Sequence, residues 1–356
     1  MRRAILDSDS NPPRHEQIAA RLFKHAVPGA ALGLVPFIVT SRVIVGLVRG
    51  GVDPHFSRHC KTEYDVARGT INLIKQFMGS YLRPDMLQDA LSALAERPLT
   101  VLAGGTDFYP AHVGKPVSVD ILDVTHLSTL REITEAPDYW RIGATATWTD
   151  VIQVPLPNYF CGLKLAAREI GGVQIQNAGT IVGNICNASP AADGVPALLA
   201  LDAQVELASL NITRRLPLVD FILGNRKTCR ASNELVTAIV IPKWQLSARS
   251  TFSKIGARKY LLISIAMVSV CLETNADNII TRVGIAVGAC SAVAQRLTSL
   301  EHKFIGRPRA AAMADLAETG DLANLTPIDD VRASKEYRLD AALTLVKRAL
   351  RELANE

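Results

Sequence analysis

The sequence predicts an α+β fold built from more than one domain. Two observations point to the class. Short apolar strands alternate irregularly with helical stretches instead of following a βαβ rhythm, and the second half strings together three strands before a long amphipathic helix. A third observation concerns domain number: 356 residues exceed the roughly 250 to 300 that one hydrophobic core usually serves.

The patterned region opens at Met78. Leu87, Ala90, Leu91 and Leu94 fall at helical spacing behind Pro84-Asp85, and 99–103 reads as a strand running into glycines. Segments 117–122, 130–134 and 140–143 read as strands, a short helix begins at Thr149, and 163–170 is helical until Gly171-Gly172 breaks it. Alternation marks strands at 203–208 and 234–241, the second ended by Pro242. From Ser247 onward, 251–256, 263–274 and 279–289 read as antiparallel strands, the last two joined by a turn from Asn275 to Asn278. Two helices close the chain. One spans 309–318 and stops at Gly320; the other spans 334–353, with Ser334 as N-cap and Leu339, Leu343, Val346, Leu350 and Leu353 on one face.

Composition removes several function classes. The net charge of +5 would suit a polyanion partner only if clustered, yet the whole excess lies in residues 1–77, and basic and acidic side chains balance beyond them. Six cysteines show no C-x-x-C pair, so neither a zinc ribbon nor an iron–sulfur cluster is expected, and no metal ligands are assigned. Free thiols in a reducing cytoplasm are the expectation. The apolar run 28–51 is interrupted by Pro36 and Arg42, short of the roughly 18 to 20 residues of a membrane span, and Arg2-Arg3 is followed by polar residues rather than a signal-peptide core.

Two glycine-rich segments carry the chemistry. The first is Leu102, Ala103, Gly104, Gly105, Thr106 and Asp107, where a strand end turns sharply and can present successive backbone N–H groups to an anion such as a pyrophosphate. A tight hairpin turn explains it equally well, since neither a P-loop nor G-x-G-x-x-G is present. The second runs from Gly171 to Asp193 and is denser in Gly, Asn and Ser-Pro than a packing element needs. Thr180 can reach a phosphate oxygen there, while Asn184 and Asp193 can bond sugar or ribityl hydroxyls; a buried irregular loop satisfying its own backbone is the alternative.

The residues 103–107, followed by 179–193 and then 196–202, resemble the FAD-binding subunit of the xanthine dehydrogenase and carbon monoxide dehydrogenase family of molybdenum hydroxylases. The resemblance extends to Tyr81-Leu-Arg-Pro84, 224–228, 234–242, 252–258 and Ser334-Lys-Glu-Tyr-Arg338, covering about 79–352. It implies a vanillyl-alcohol-oxidase-type FAD fold at 78–245, with subdomains at about 78–135 and 136–245, and a smaller α+β flavoprotein domain at 246–356. Residues 1–77 match nothing in the family and are expected to be either a weakly ordered tail or a mistaken upstream start, with Met78 as the natural initiator.

What the resemblance implies for the site is FAD held noncovalently. Its pyrophosphate is wrapped by Leu102 to Asp107, Thr180, Gly183, Asn184 and Asp193 add contacts, and Ile170, Val236 and Lys254 lie near the ring system. A cation at Lys254 would stabilise reduced, anionic flavin. The sequence departs from the family at Val182, where glycine is frequent, and at Ser264, where aspartate is frequent. Partners implied are an iron–sulfur small subunit and a molybdopterin-binding large subunit, carrying the [2Fe-2S] clusters and molybdenum cofactor, with NAD or another acceptor. No nucleic acid, membrane insertion or catalytic acid/base residue is expected. A self-sufficient flavin oxidoreductase of the same fold is the alternative.

Overall fold

The computed structural model describes residues 79–115, 117–257 and 263–355; the proposed extension 1–77, the Met78 start and the motif's Arg258 lie outside the described residues. Strand β1 (Tyr81–Leu82), helix α1 (Leu87–Glu96), β2 (Thr100–Leu102), α2 (Phe108–Ala111) and β3 (Ile121–Asp123) build a small parallel sheet in the order β1-β3-β2. α1 buries Ala90, Leu91 and Leu94, three of the residues at the predicted helical spacing. Because the three strands run parallel, their carboxyl ends share one edge, the edge at which open α/β sheets bind ligands. The first glycine segment leaves from it.

The next unit is an antiparallel sheet of β4 (Ile133–Glu135), β5 (Tyr139–Gly143), β6 (Gln204–Ala208), β7 (Thr213–Pro217) and, after a small hairpin of β8 (Ile222–Gly224) and β9 (Lys227–Thr228), β10 (Leu235–Pro242). Its order is β4-β5-β10-β6-β7. Between β5 and β6 the chain makes five short helices: α3 (Trp148–Gln153), α4 (Cys161–Glu169), α5 (Val173–Ala178), α6 (Ile181–Asn187) and α7 (Gly194–Ala200). They share one apolar core with the sheet, in which Trp148, Phe160, Leu163 and Ile181 are fully buried. Thr147 caps α3 with a complete capping box, its side chain accepting from the Asp150 N–H while the Asp150 carboxylate accepts from the Thr147 N–H.

A third sheet, β11 (Arg249–Ile255), β12 (Ala266–Thr274), β13 (Ile280–Gly288) and β14 (Gln295–Arg296), is antiparallel in sequence order. β12 is buried on both faces: Met267 and Cys271 join the first core, while Ala266, Val268, Val270 and Leu272 join a second core with the closing helix, Lys335–Asn355. Two-sided burial explains why this strand reads as a nearly continuous apolar run rather than an alternating one.

Several expectations need correction. The predicted helix 309–318 is a 3₁₀ turn at Ala311–Leu316, and Gly320 does not stop a helix but sits inside a second 3₁₀ turn, Thr319–Leu322, restarted by a capping box between Glu318 and Asp321. The strand placed at 117–122 begins only at Ile121, and 130–134 divides into a 3₁₀ turn at Ser128–Leu130 followed by β4. The apolar face of the last helix is rotated. Ala342, Leu345, Val346 and Ala349 are its centre, and Leu339 and Leu343 sit at its edge, because small side chains let the helix approach the sheet. Ser334 does accept the Tyr337 N–H, at 3.2 Å, as an N-cap would.

Candidate cofactor site

The first glycine segment turns at the carboxyl end of β2. Gly105 has φ +69°, a left-handed conformation that suits glycine, and a Cβ on Gly104 would lie 2.0 Å from the Ala178 carbonyl oxygen. Gly104 is thus fixed by the second segment, which packs directly on the first. Among the described residues, the N–H groups of Gly104, Gly105, Thr106 and Asp107 donate to no backbone acceptor, leaving successive donors free at one turn. Leu102 is buried behind them and Asp107 is exposed.

At the same sheet edge Asp123 accepts hydrogen bonds from Tyr81 and from Thr125, and its carboxylate lies 3.4 Å from Arg83. Burial works to raise this carboxyl, but the Thr125 and Tyr81 hydrogen bonds and the Arg83 charge outweigh it and hold Asp123 below the usual carboxylate range. Asp123 therefore keeps the edge rigid and ionised beneath the glycine turn.

The second segment is not the buried irregular loop that stood as the alternative reading. It folds as α5 and α6, with Thr180 as N-cap of α6: its hydroxyl oxygen accepts the Gly183 N–H at 2.9 Å, which leaves its own O–H free to donate. The two segments meet at Gly179, where a Cβ would stand 3.5 Å from the Thr106 hydroxyl and 3.6 Å from Trp148. Trp148 continues the contact to Gly194, and Gly194 to Asn184, whose amide oxygen is buried with no partner among the described residues. An orphaned buried acceptor is costly unless a bound group supplies the donor. That oxygen, the open N–H groups and the close glycine packing fit a ligand bearing both an anion and hydroxyls.

Asp193 lies beside Gly194 and is 8% exposed. Its carboxylate accepts from Lys254 Nζ at 2.8 Å and from Ser264 Oγ at 2.6 Å. Burial pushes the Asp193 carboxyl up from its ordinary value, opposed by the Lys254 charge and by the hydrogen bonds from Lys254 and Ser264. Lys254 also donates to the Glu169 carbonyl at 3.1 Å and lies 3.7 Å from the Glu169 carboxylate. The cation expected at Lys254 stands in a buried ion pair with Asp193. Ile170, the residue after Glu169, joins this cluster through the end of α4 and is partly exposed.

Val236 does not join the open part of the site. It is 2% exposed on β10 beside a bulge against β6, and its side chain belongs to the first core. Sequence reasoning missed three participants. Trp148 links the two glycine segments, Glu169 anchors Lys254 through its main chain, and Ser264 completes the carboxylate cluster; only Ser264 carried a signal, as a departure beside the Ile-Ala pair. Burial pushes the Cys186 thiol up to about 12, which favours the neutral thiol at the one cysteine of the second segment. Among the described residues no group of His, Cys, Asp and Glu could hold a metal ion, and no helix is long and apolar enough to cross a membrane.

Comparison with known proteins places this geometry in a class. Residues 75–244 match the family described as "FAD binding domain in molybdopterin dehydrogenase", and residues 252–353 match "CO dehydrogenase flavoprotein C-terminal domain". The chain is 30% identical over 279 residues to the xanthine dehydrogenase FAD-binding subunit of Escherichia coli O157:H7, covering 77% of this chain and 95% of that one. It is also 30% identical to the glyceraldehyde dehydrogenase medium chain of Sulfolobus acidocaldarius, covering 77% and 98% of the two chains. Among solved structures it superposes on a chain of carbon monoxide dehydrogenase from Hydrogenophaga pseudoflava with a TM-score of 0.68 at 26% identity, covering 77% and 96%. The class is that of α+β flavoproteins with an FAD-binding domain and a CO-dehydrogenase-type C-terminal domain. The chain belongs to the FAD-binding medium subunits of the molybdopterin hydroxylase family, and is the oxidoreductase flavoprotein subunit of a multi-subunit complex.

Proposed function

We propose that this chain holds FAD noncovalently at the joined glycine segments and relays electrons from an iron–sulfur small subunit to NAD or another acceptor. In this reading a molybdopterin-binding large subunit performs the hydroxylation. The observation that carries the assignment of the site is the buried Asn184 oxygen, without a hydrogen-bond partner among the described residues, set among Gly194, Trp148 and the open turn of Gly104 to Asp107.

When bound, the flavin supplies the redox chemistry, and the protein supplies position and electrostatics. The N–H groups of Gly104 to Asp107, with the Thr106 and Thr180 hydroxyls, donate to the pyrophosphate. The Asn184 oxygen and the Asp193 carboxylate accept from ribityl or ribose hydroxyls. Gly183 keeps the Thr180 hydroxyl turned toward the site by donating to its oxygen. Ile170 offers an apolar wall to the ring system, Val236 supports it from behind, and Lys254 pairs with the Asp193 carboxylate. Leu102 and Ala103 set the level at which the turn leaves the sheet.

The division into domains at 78–245 and 246–356 belongs to the same reading, supported by the separate sheets at 133–242 and 249–296. So does a cytoplasmic location, supported by five described cysteines that stand unpaired. The test is substitution of Asp193 by alanine in the full chain. FAD content should fall while the remaining flavin still exchanges electrons; a flavin-replete, redox-dead Asp193→Ala protein would contradict a binding role. Stopped-flow reoxidation of the reduced complex by NAD and by alternative acceptors identifies the acceptor.

A further inference from the structure

We propose that Ser264 is a positioning residue for FAD binding, holding the Asp193 carboxylate through a buried hydrogen bond so that its remaining lone pairs point at the cofactor's hydroxyls. The inference rests on the reading that Asp193 contacts FAD. Ser264 is 2% exposed, and its hydroxyl lies 2.6 Å from Asp193 Oδ1; Lys254 occupies the other oxygen, Oδ2, at 2.8 Å. Each carboxylate oxygen thus accepts one hydrogen bond from the protein and keeps a lone pair for a ligand. With both donors in place the carboxylate cannot rotate without breaking one of them.

The donor is neutral, and its chemistry matters. Lys254 already balances the charge of Asp193 and spends its other donors on Glu169. A second cation at Ser264 would give the buried cluster a surplus charge, and a second carboxylate would face Asp193 at hydrogen-bond distance and share a proton with it. A hydroxyl orients Asp193 without disturbing the balance.

Ser264 is itself held from the opposite side. The guanidinium of Arg338, on the closing helix and 3% exposed, donates to the carbonyl oxygen of the next residue, Ile265, at 2.6 Å, and to that of Ala289 at 3.1 Å. Ala289 in turn donates its N–H to Pro190 in the second glycine segment. The C-terminal sheet and helix therefore complete a site whose glycine segments lie entirely in the first two sheets' part of the chain.

The test uses the full-length chain with FAD as the probe, and flavin fluorescence gives the Kd. Ser264→Ala is expected to weaken FAD binding roughly tenfold, the usual size of a lost hydrogen bond to a charged group. Ser264→Thr, which restores the hydroxyl, is expected to bring the Kd back to within about twofold, a rescue that a role in packing alone would not give. Should Ser264→Ala fail to fold, Ser264→Cys, with a weak donor of similar volume, carries the same expected direction. Unchanged affinity in the folded donor-removing variant, or absence of rescue by threonine in a normally folded protein, would overturn the proposal. Asp193→Ala separates it from the reading beneath it. Affinity lost there but unchanged in Ser264→Ala rejects only the role of Ser264, whereas full affinity in Asp193→Ala rejects the placement of Asp193 at FAD and this inference with it.

Discussion

At the scale of single residues, the site depends on approaches too close for a side chain. A Cβ at Gly104 would sit 2.0 Å from the Ala178 carbonyl oxygen, a contact with backbone that no rotamer change relieves. Gly104→Ala should therefore lose FAD retention and cost about 1 to 3 kcal/mol, read by flavin content and chemical unfolding of the same preparation. Gly114 supplies the control, because a Cβ there meets nothing within 4 Å among the described residues, although its φ of +72° brings some strain. The types of these residues were legible in sequence, but their partners were not. Nothing in the order of Gly104, Ala178, Trp148 and Gly194 says that they touch, and the ion pair of Lys254 with Asp193 joins positions 61 residues apart. The lysine and the carboxylate, each singled out separately in the sequence, prove to be partners.

At the scale of elements, helices and strands with a strong apolar period were readable, as was the short capped helix near Thr149, but the helices of the second glycine segment were not. α1 and the closing helix announce themselves by spacing, whereas α5 and α6 are six and seven residues long and owe their form to the Thr180 cap and to packing on Trp148. The closing helix makes two predictions. Leu345, fully buried at the centre of the second core, should cost about 2 to 5 kcal/mol on replacement by alanine, measured by denaturant unfolding. Its start is tied by Asp330, which accepts the backbone N–H of Arg332 and a guanidinium hydrogen bond from Arg338, and which these partners hold at about 2. A depressed carboxyl contributes stability that is present above its ordinary value and lost as pH falls through the depressed one. The melting temperature should accordingly drop between about pH 4 and pH 2, and Asp330→Asn should flatten that drop. An unaltered acid profile in Asp330→Asn would remove Asp330 as the cause.

At the scale of the whole molecule, β12 is buried on both faces, and β11 and the residues leading into β12 bring Lys254 and Ser264 to the cofactor site, so FAD should stabilise residues 79–355 as one cooperative unit. Saturation at about a hundred times Kd should add roughly 2.7 kcal/mol, seen as a rise in melting temperature of a single transition. The class of the fold was legible because antiparallel strands and a long helix leave strong periods, and the family through motifs spread along the chain. The way the C-terminal sheet completes the site was not, since it depends on the alternate faces of β12 serving two cores. The most direct test of the account is the flavin content of the purified full-length chain, followed through acid precipitation. The account predicts a folded yellow protein that releases FAD, about one per chain, into the supernatant. A folded chain that takes up no FAD, or one whose flavin stays with the precipitated protein, would contradict it.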